Sequence, residues 1–313
     1  MTGWAGRLIG LAPASLMTRL PNDLRADFRD RLGLEVPGDL GFRPEPPGLQ
    51  FGEEAGPPDV VVLGSMVTGA RRWTELVADH PGVADVGDLD TKAHLLTRFA
   101  TDRFGPEESA SFARWFPRRS GQLAIHWSPD GLAYPWVPTL LARTAPEARV
   151  VVLVGDPIDC LGADLTRTDD LRASHPGTWL IDAVDRGFAS VHLEHLRRCV
   201  PDDQILVLQA ERCMAEPGQQ LARTDTHVGL DPASRPSLTA PVPSLAELRV
   251  AEPRTTASRR RVRRPGAVQP APDRCDDGAL ARLRELYAGE VERLVALVPD
   301  LDLGLWRTTV PSE

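Results

Sequence analysis

Residues 64–69, with the sequence GSMVTG, form the segment best suited by residue type and spacing to bind an anion. They follow a short apolar run and precede a helical pattern, and two glycines let backbone N–H groups turn inward on a phosphate or sulfate. A Walker A loop would continue with Lys and then Ser or Thr, whereas Ala70 and Arg71 follow here. The loop is therefore a candidate anion cradle rather than a usual NTPase loop, unless its glycines serve only a tight turn.

Charged residues near this loop could complete such a site. Arg71 and Arg72 stand in the first turn of the following helix, where a cation is unfavourable unless an anion lies nearby. They could fold back on an anion in the loop, or form a solvated pair at an exposed helix end. Asp156 follows a second apolar run, in the place of a Walker B acid.

Short β-branched runs alternate with helical patterns along the chain. Such runs are typical of strands buried on both faces of a parallel sheet, and the alternation favours right-handed crossovers. The predicted strands are 59–63, 149–154 and 204–208, with a weaker one at 123–126, and the predicted helices are 1–33, 71–80, 178–198 and 280–297. The predicted fold class is α/β, a P-loop-like three-layer sandwich whose central parallel sheet carries helices on both faces.

Composition divides the 313 residues into three parts. Residues 1–56 combine the N-terminal helix with a Pro/Gly-rich lead-in, residues 57–307 form the α/β domain, and residues 308–313 are a tail. Within the domain, residues 231–272 are rich in Pro, Ser, Thr, Ala and Arg and predict a long, partly flexible loop.

Bulk properties exclude several classes of protein. A net charge of −8 argues against a general nucleic-acid binder or a protein of anionic membranes. Four widely spaced cysteines give neither a disulfide framework nor a zinc cluster. No apolar run approaches the roughly 20 residues that span a bilayer. The sequence therefore predicts a cytoplasmic protein without a bound metal.

Four segments, in order and spacing, resemble the sulfotransferase family. They are residues 58–81, 148–157, 202–230 and 300–306. The first is similar to the 5′-phosphosulfate loop, a strand ending in Gly-x-x-Lys-Ser-Gly-Thr-Thr before a helix and a His-Pro. Residues 148–157 resemble a strand running into Arg-Asp-Pro, and residues 300–306 match the end of many bacterial members. The resemblance implies sulfuryl transfer from 3′-phosphoadenosine-5′-phosphosulfate (PAPS) to a hydroxyl or amine of a small-molecule acceptor.

The residues that would contact PAPS depart from the family's pattern. Val67 stands at the loop lysine, Gly155 at the arginine that holds the 3′-phosphate, and Ala163 at a serine that also contacts it. Each lost charge-assisted hydrogen bond is worth about 1.5–3 kcal/mol, so donor binding must be impaired or remodelled. The residues that the resemblance places at the donor are Gly64, Thr68, Gly69, Ala70, Arg71, Arg72, Asp156 and Arg261. Arg261 belongs to a basic cluster, residues 259–264, which is otherwise a solvated run.

Two histidines are candidates for the base that removes the acceptor's proton. His94 lies where the family carries a glutamate, in a stretch that offers Lys92 and His94 but no Glu. His126 ends a predicted strand in a segment similar to one that lines the acceptor side. Either histidine could instead be structural.

Three functions stay open on the sequence alone. The chain could be an active sulfotransferase with remodelled donor contacts. It could be an inactive member kept for binding, such as the partner of an active enzyme; under any of these functions the chain could also form a homo-oligomer. It could also be an enzyme repurposed to another donor.

Overall fold

A computed structural model describes residues 45–97, 104–167, 183–237 and 277–306. The predicted N-terminal helix, most of the 231–272 loop, Arg261 and the tail lie outside these residues. Within the described part of the chain, no helix is both long enough and apolar enough to cross a bilayer.

Four parallel strands form the central sheet, in the order β4-β2-β5-β6. They are β2 (Val60–Gly64), β4 (Ile125–Pro129), β5 (Arg149–Val154) and β6 (Ile205–Gln209). Strand β2 is buried throughout and lies between β4 and β5, with Val62 opposite both Trp127 and Val151. The predicted α/β fold class is confirmed, and the weak strand begins two residues later than its pattern indicates.

The structure also contains a two-stranded sheet that the sequence patterns do not predict. Strands β1 (Glu53–Ala55) and β3 (Pro117–Arg119) pair antiparallel. Arg118 links this sheet to the central one, because its Nε lies 3.1 Å from Asp59 Oδ2 and its Nη1 donates to the carbonyl of Pro57.

Helices cover both faces of the central sheet. They are α1 (Ala70–Ala78), α2 (Leu89–Lys92), α3 (Pro106–Ala113), α4 (Val137–Thr144), α5 (Pro157–Arg167), α6 (Ala189–Cys199), α7 (Ala210–Ala215), α8 (Pro217–Val228) and α9 (Asp277–Leu297). On one face, Trp73 of α1 and Leu221 of α8 pack with Val60 and Val62. On the other, Leu193 of α6 and Leu294 of α9 pack with Val61. Because successive side chains of a strand point to opposite faces of the sheet, β2 contributes residues to two hydrophobic cores.

A buried ion pair fixes the end of α1. Asp225 of α8 is fully buried, and Arg235 donates from Nε to its Oδ2 at 2.6 Å. Arg235 also donates to the carbonyls of Leu76 and Val77, in the last turn of α1. Carbonyls in the last turn of a helix lack the usual partners one turn ahead, so the arginine adds donors at the helix end, where the N–H of His80 also bonds to Val77, while its own charge is neutralised.

Helix α9 is attached to α6 by a buried carboxylate. Glu290 accepts hydrogen bonds from the backbone N–H of Ser190 and, at 2.6 Å, from the Ser190 hydroxyl. Ser190 lies in the first turn of α6, where N–H groups need acceptors from outside the helix. The last described helix therefore supplies the acceptor for the start of α6.

Candidate active site

The loop after β2 makes a tight bend that depends on two glycines. A 3₁₀ turn spans Met66–Thr68, and Gly69 follows it with φ 76°, a left-handed conformation that favours glycine. A Cβ added to Gly64 would lie 2.8 Å from Ala70 Cβ and 2.9 Å from Thr68 Oγ1. Because the chain folds back so closely on the end of the strand, the bend has no room for a side chain at Gly64.

A narrow cavity lies beside this bend, at the carboxyl ends of β2 and β5. Its wall includes Gly64, Ser65, Thr68, Asp130, Gly155 and Arg186. The volume of the cavity that is open to the centres of water-sized groups is only about 40 Å³. By the same measure, a single water molecule needs roughly 10–15 Å³. As the chain stands, the cavity suits a group of the size of sulfate or phosphate rather than a whole nucleotide.

Two polar groups in the cavity wall are not among the residues predicted from the sequence. Asp130 follows β4 with φ 55°, a left-handed conformation uncommon for a residue other than glycine. Its Oδ1 lies 3.8 Å from Nε of Arg186, which comes just before α6. The sequence Pro129-Asp130-Gly131 is typical of a turn and could have drawn attention to Asp130, whereas no local pattern marks Arg186.

The hydroxyl groups of the loop differ in their bonding. Thr68 Oγ1 donates to the carbonyl of Ser65 at 2.8 Å, which stabilises the bend itself. Ser65 Oγ is buried and has no hydrogen-bond partner among the described residues. A buried hydroxyl without a partner is uncommon, so Ser65 is the loop hydroxyl suited to contact a bound group.

The end of β5 presents carboxylates where the resemblance implies a phosphate. Asp156 is fully buried, and its Oδ1 accepts from the backbone N–H of Ile158 at 2.8 Å, at the start of α5. Glu211 accepts from the N–H of Asp156 and from Trp306 Nε1, and burial raises the pKa of its carboxyl. A Cβ added to Gly155 would lie 3.3 Å from Glu211 Oε1. The surroundings of Gly155 therefore suit a second phosphate poorly.

The two arginines after the loop are paired with carboxylates. Arg71 donates to Glu75 and, at 3.2 Å, to Asp90, and Arg72 donates to Glu75 at 3.0 Å. Val67, at the position of the family's lysine, is buried. Gly64 and Thr68 line the cavity, but neither arginine is part of the cavity wall.

His94 does not line the cavity, but the carboxylate of Asp130 in the cavity wall acts on it electrostatically. Its Nδ1 lies 3.2 Å from Thr97 Oγ1, and no hydrogen bond to Nε2 occurs within the described residues. Partial burial lowers the pKa of His94, while the carboxylates of Asp130 and Asp90 act in the opposite direction. His94 is therefore largely uncharged at neutral pH and able to accept a proton.

His126 is enclosed within the fold. It is fully buried on β4, where Phe112 and Phe116 contact its ring edge to face at 5.6 and 5.4 Å between centroids. Neither ring nitrogen has a partner within the described residues. Burial, followed by the positive charge of Lys92 and His94, lowers the pKa of His126 to about 3. At neutral pH this makes it a weak base, and it does not line the cavity.

The curated proteins that the chain resembles include human sulfotransferases. Human heparan sulfate glucosamine 3-O-sulfotransferase 3B1 is 26% identical over 188 residues, which cover 55% of this chain and 46% of that enzyme. Human heparan sulfate glucosamine 3-O-sulfotransferase 6 is 24% identical over 233 residues, which cover 69% of this chain and 66% of that enzyme. The chain thus spans about half to two thirds of the length of these relatives.

A solved structure gives independent support for the fold. The crystal structure of a sulfotransferase from Alicyclobacillus acidocaldarius superposes with a TM-score of 0.55 at 13% identity, covering 79% of this chain and 98% of that one. The chain therefore has the fold of a sulfotransferase and is similar in sequence to curated sulfotransferases. No protein-family model matches it, which is consistent with the low identity.

The bend after β2 lies where the resemblance places the sulfotransferase donor loop, but it lacks that loop's lysine. In the described residues the loop region offers backbone N–H groups, Ser65 and a nearby arginine, while Gly155 stands in place of the family's cation. Within the same residues, no group of three or more His, Cys, Asp or Glu side chains could hold a metal ion.

The burial of His126 makes stability depend on pH. The folded protein holds this histidine uncharged down to a pH of about 3, whereas the unfolded chain protonates it near pH 6.5. The unfolded state therefore binds more protons below pH 6.5, and this group removes roughly 1–2 kcal/mol of stability for each pH unit below that value. Urea unfolding at pH 7 and pH 5 should show the loss, and a His126→Leu variant should have a shallower dependence. Equal pH dependence in both proteins would contradict it.

Proposed function

We propose that the protein transfers a sulfuryl group from PAPS to a hydroxyl or amine of a small-molecule acceptor. The observation that supports this most is the close bend at Gly64–Gly69, which follows a buried parallel strand, opens a helix and borders a cavity of sulfate size. Backbone N–H groups in such a bend, together with the positive end of α1, favour an anion without any lysine.

The chemistry requires stabilisation of negative charge and removal of one proton. As the donor's S–O bond breaks and a bond from sulfur to the acceptor forms, negative charge spreads over the sulfuryl and bridging oxygens. Oriented N–H donors that face those oxygens lower the barrier. The acceptor's proton passes to a base, and adenosine 3′,5′-bisphosphate leaves with the bridging oxygen.

His94 is the residue proposed to take that proton. It is neutral near pH 7, and it interacts with Asp130 in the cavity wall. A positioned base of this kind contributes about 10²–10⁴-fold to a rate. His126 is not assigned the role, because its enclosure between Phe112 and Phe116 leaves it weakly basic.

The acceptor is proposed to be a small molecule, as the resemblance to sulfotransferases implies. The curated relatives are named for glucosamine in heparan sulfate, so a heparan sulfate oligosaccharide that contains glucosamine is the first alternative acceptor to test. Simple alcohols, phenols and amines complete a suitable panel.

Ligand binding without transfer is the second candidate function. It is favoured by the pairing of Arg71 and Arg72 with carboxylates and by the acidic surroundings of Gly155, which together weaken donor binding. A protein of this kind would bind an anion and would need no base at His94.

Two measurements separate these functions. Radiolabelled sulfate should pass from PAPS to at least one acceptor of the panel, and His94→Gln should slow this by about 10²–10⁴-fold. His227→Gln, which alters a histidine bonded to the carbonyl of Gln204 away from the cavity, serves as the control.

Adenosine 3′,5′-bisphosphate at 100 times its dissociation constant should stabilise the protein by about 2.7 kcal/mol. Stabilisation without transfer would favour the second function, and the absence of both would contradict the two of them.

A further inference from the structure

Arg186 is a largely desolvated cation in the cavity wall. Its side chain is only 17% exposed, and it lines the same cavity as Gly64, Ser65 and Thr68 of the loop. A guanidinium presents several N–H donors in a fork that matches the oxygens of sulfate and phosphate. It can therefore contact an anion in the cavity while it also faces a carboxylate.

Asp130 is the carboxylate that faces it. The distance from Asp130 Oδ1 to Arg186 Nε is 3.8 Å, which is within range of an ion pair but longer than a hydrogen bond. The backbone N–H of Asp130 points to the carbonyl of Gly64 at 3.4 Å, so the residue is attached to the start of the loop. Asp130 thus lies between the loop and the arginine.

Other charges near the cavity are already balanced. Glu290 accepts from both donors of Ser190 and lies 3.3 Å from Arg293 Nη2. The ring of His192 contacts Asp185 through Nε2 at 3.4 Å. The remaining charged residues of the described cavity wall are Arg186 and Asp130.

We infer that Arg186 replaces the missing loop lysine as the cation that binds the anionic end of the donor, and that the charge of Asp130 lowers its affinity for that anion. The inference rests on the proposed function, since the anion is taken to be the donor's phosphosulfate group. Ser65 Oγ, buried and without a partner in the described residues, supplies a further hydrogen-bond donor. The carboxylate of Asp130 faces the guanidinium, and its negative charge opposes an incoming anion.

This arrangement predicts effects of opposite sign for the two partners. Removing the positive charge with Arg186→Gln should weaken binding of inorganic sulfate at least tenfold. Removing the negative charge with Asp130→Asn should strengthen it several-fold, and asparagine tolerates the left-handed backbone of this position. Two residues with a merely structural role would both weaken binding when changed.

The experiment is a titration of the full chain with inorganic sulfate, monitored by calorimetry and by thermal unfolding. Arg198→Gln, whose side chain is 73% exposed on α6, is the matched control and should bind sulfate as the unchanged protein does. Circular dichroism confirms that each variant folds. If Arg186→Gln does not fold, Arg186→Lys and Asp130→Asn decide the matter, with binding retained in the first and strengthened in the second.

The outcomes distinguish this inference from the proposed function. No saturable sulfate binding, unchanged binding in Arg186→Gln, or weaker binding in Asp130→Asn would each overturn the role of Arg186. Sulfate binding that depends on Arg186, without transfer to any acceptor, would support that role and overturn the proposed activity instead.

Discussion

Replacing Asp225 by Asn is expected to lower the free energy of unfolding by about 3–5 kcal/mol. Asp225 is fully buried, and the side chain of Arg235 that it neutralises is only 9% exposed. Without the carboxylate, the guanidinium would remain in the interior with only uncharged oxygens as partners, among them the carbonyls of Leu76 and Val77. A desolvated charge that loses its counter-ion is among the most destabilising changes known for a single residue.

Urea denaturation at pH 7 measures this effect, with an exposed ion pair as the control. Arg223 Nη2 lies 3.1 Å from Asp300 Oδ2, but Asp300 is 70% exposed. Asp300→Asn should therefore cost no more than about 1 kcal/mol. If the two variants lost similar free energies of unfolding, burial would not be what makes the Asp225–Arg235 pair important for stability.

Replacing Gly64 by Ala is expected to disrupt the loop and its anion binding together. The new methyl group would lie 2.8 Å from Ala70 Cβ, 2.9 Å from Thr68 Oγ1 and 3.3 Å from Leu153 Cβ. These atoms lie close to the backbone and cannot swing away, so the backbone of the loop must shift. Overpacking of this kind costs about 1–3 kcal/mol, and the loss of one oriented donor to sulfate should weaken its binding roughly 10–100-fold.

Gly162→Ala provides the control for this variant. Gly162 lies within α5, and an added Cβ would meet no atom within 4 Å. Alanine is favoured over glycine inside a helix by up to about 1 kcal/mol, so this variant should be as stable as the unchanged protein or more so, with sulfate binding intact. If Gly64→Ala behaved in the same way, the close bend would not be needed for the site.

The strands of the central sheet could be predicted because their residues carry the signal themselves. Val60–Leu63 and Val150–Val154 are buried on both faces and are therefore apolar at every position, unlike strands with a solvated face. The prediction for the strand at Ile125–Pro129 begins too early because Leu123 belongs to an isolated bridge with Val83 rather than to the strand. The paired strands at Glu53–Ala55 and Pro117–Arg119 are too short to produce a pattern.

The loop could be predicted from local sequence, but its electrostatic partners could not. The spacing of Gly64 and Gly69 indicates a bend in any context. The pairing of Arg71 with Asp90 and the approach of Arg186 to Asp130 join residues 19 and 56 positions apart, and depend on how the helices pack. A local sequence pattern contains no information on such contacts.

The bond between Glu290 and Ser190 joins residues 100 positions apart, and Glu290 also lies in the wall of the cavity. Contacts so distant in sequence form slowly, since the intervening chain must first lose its freedom. On the ribosome, the strands and the glycine bend emerge well before α9 does. The nascent chain can therefore assemble its sheet early, while the proposed anion site is completed only after α9 has been synthesised.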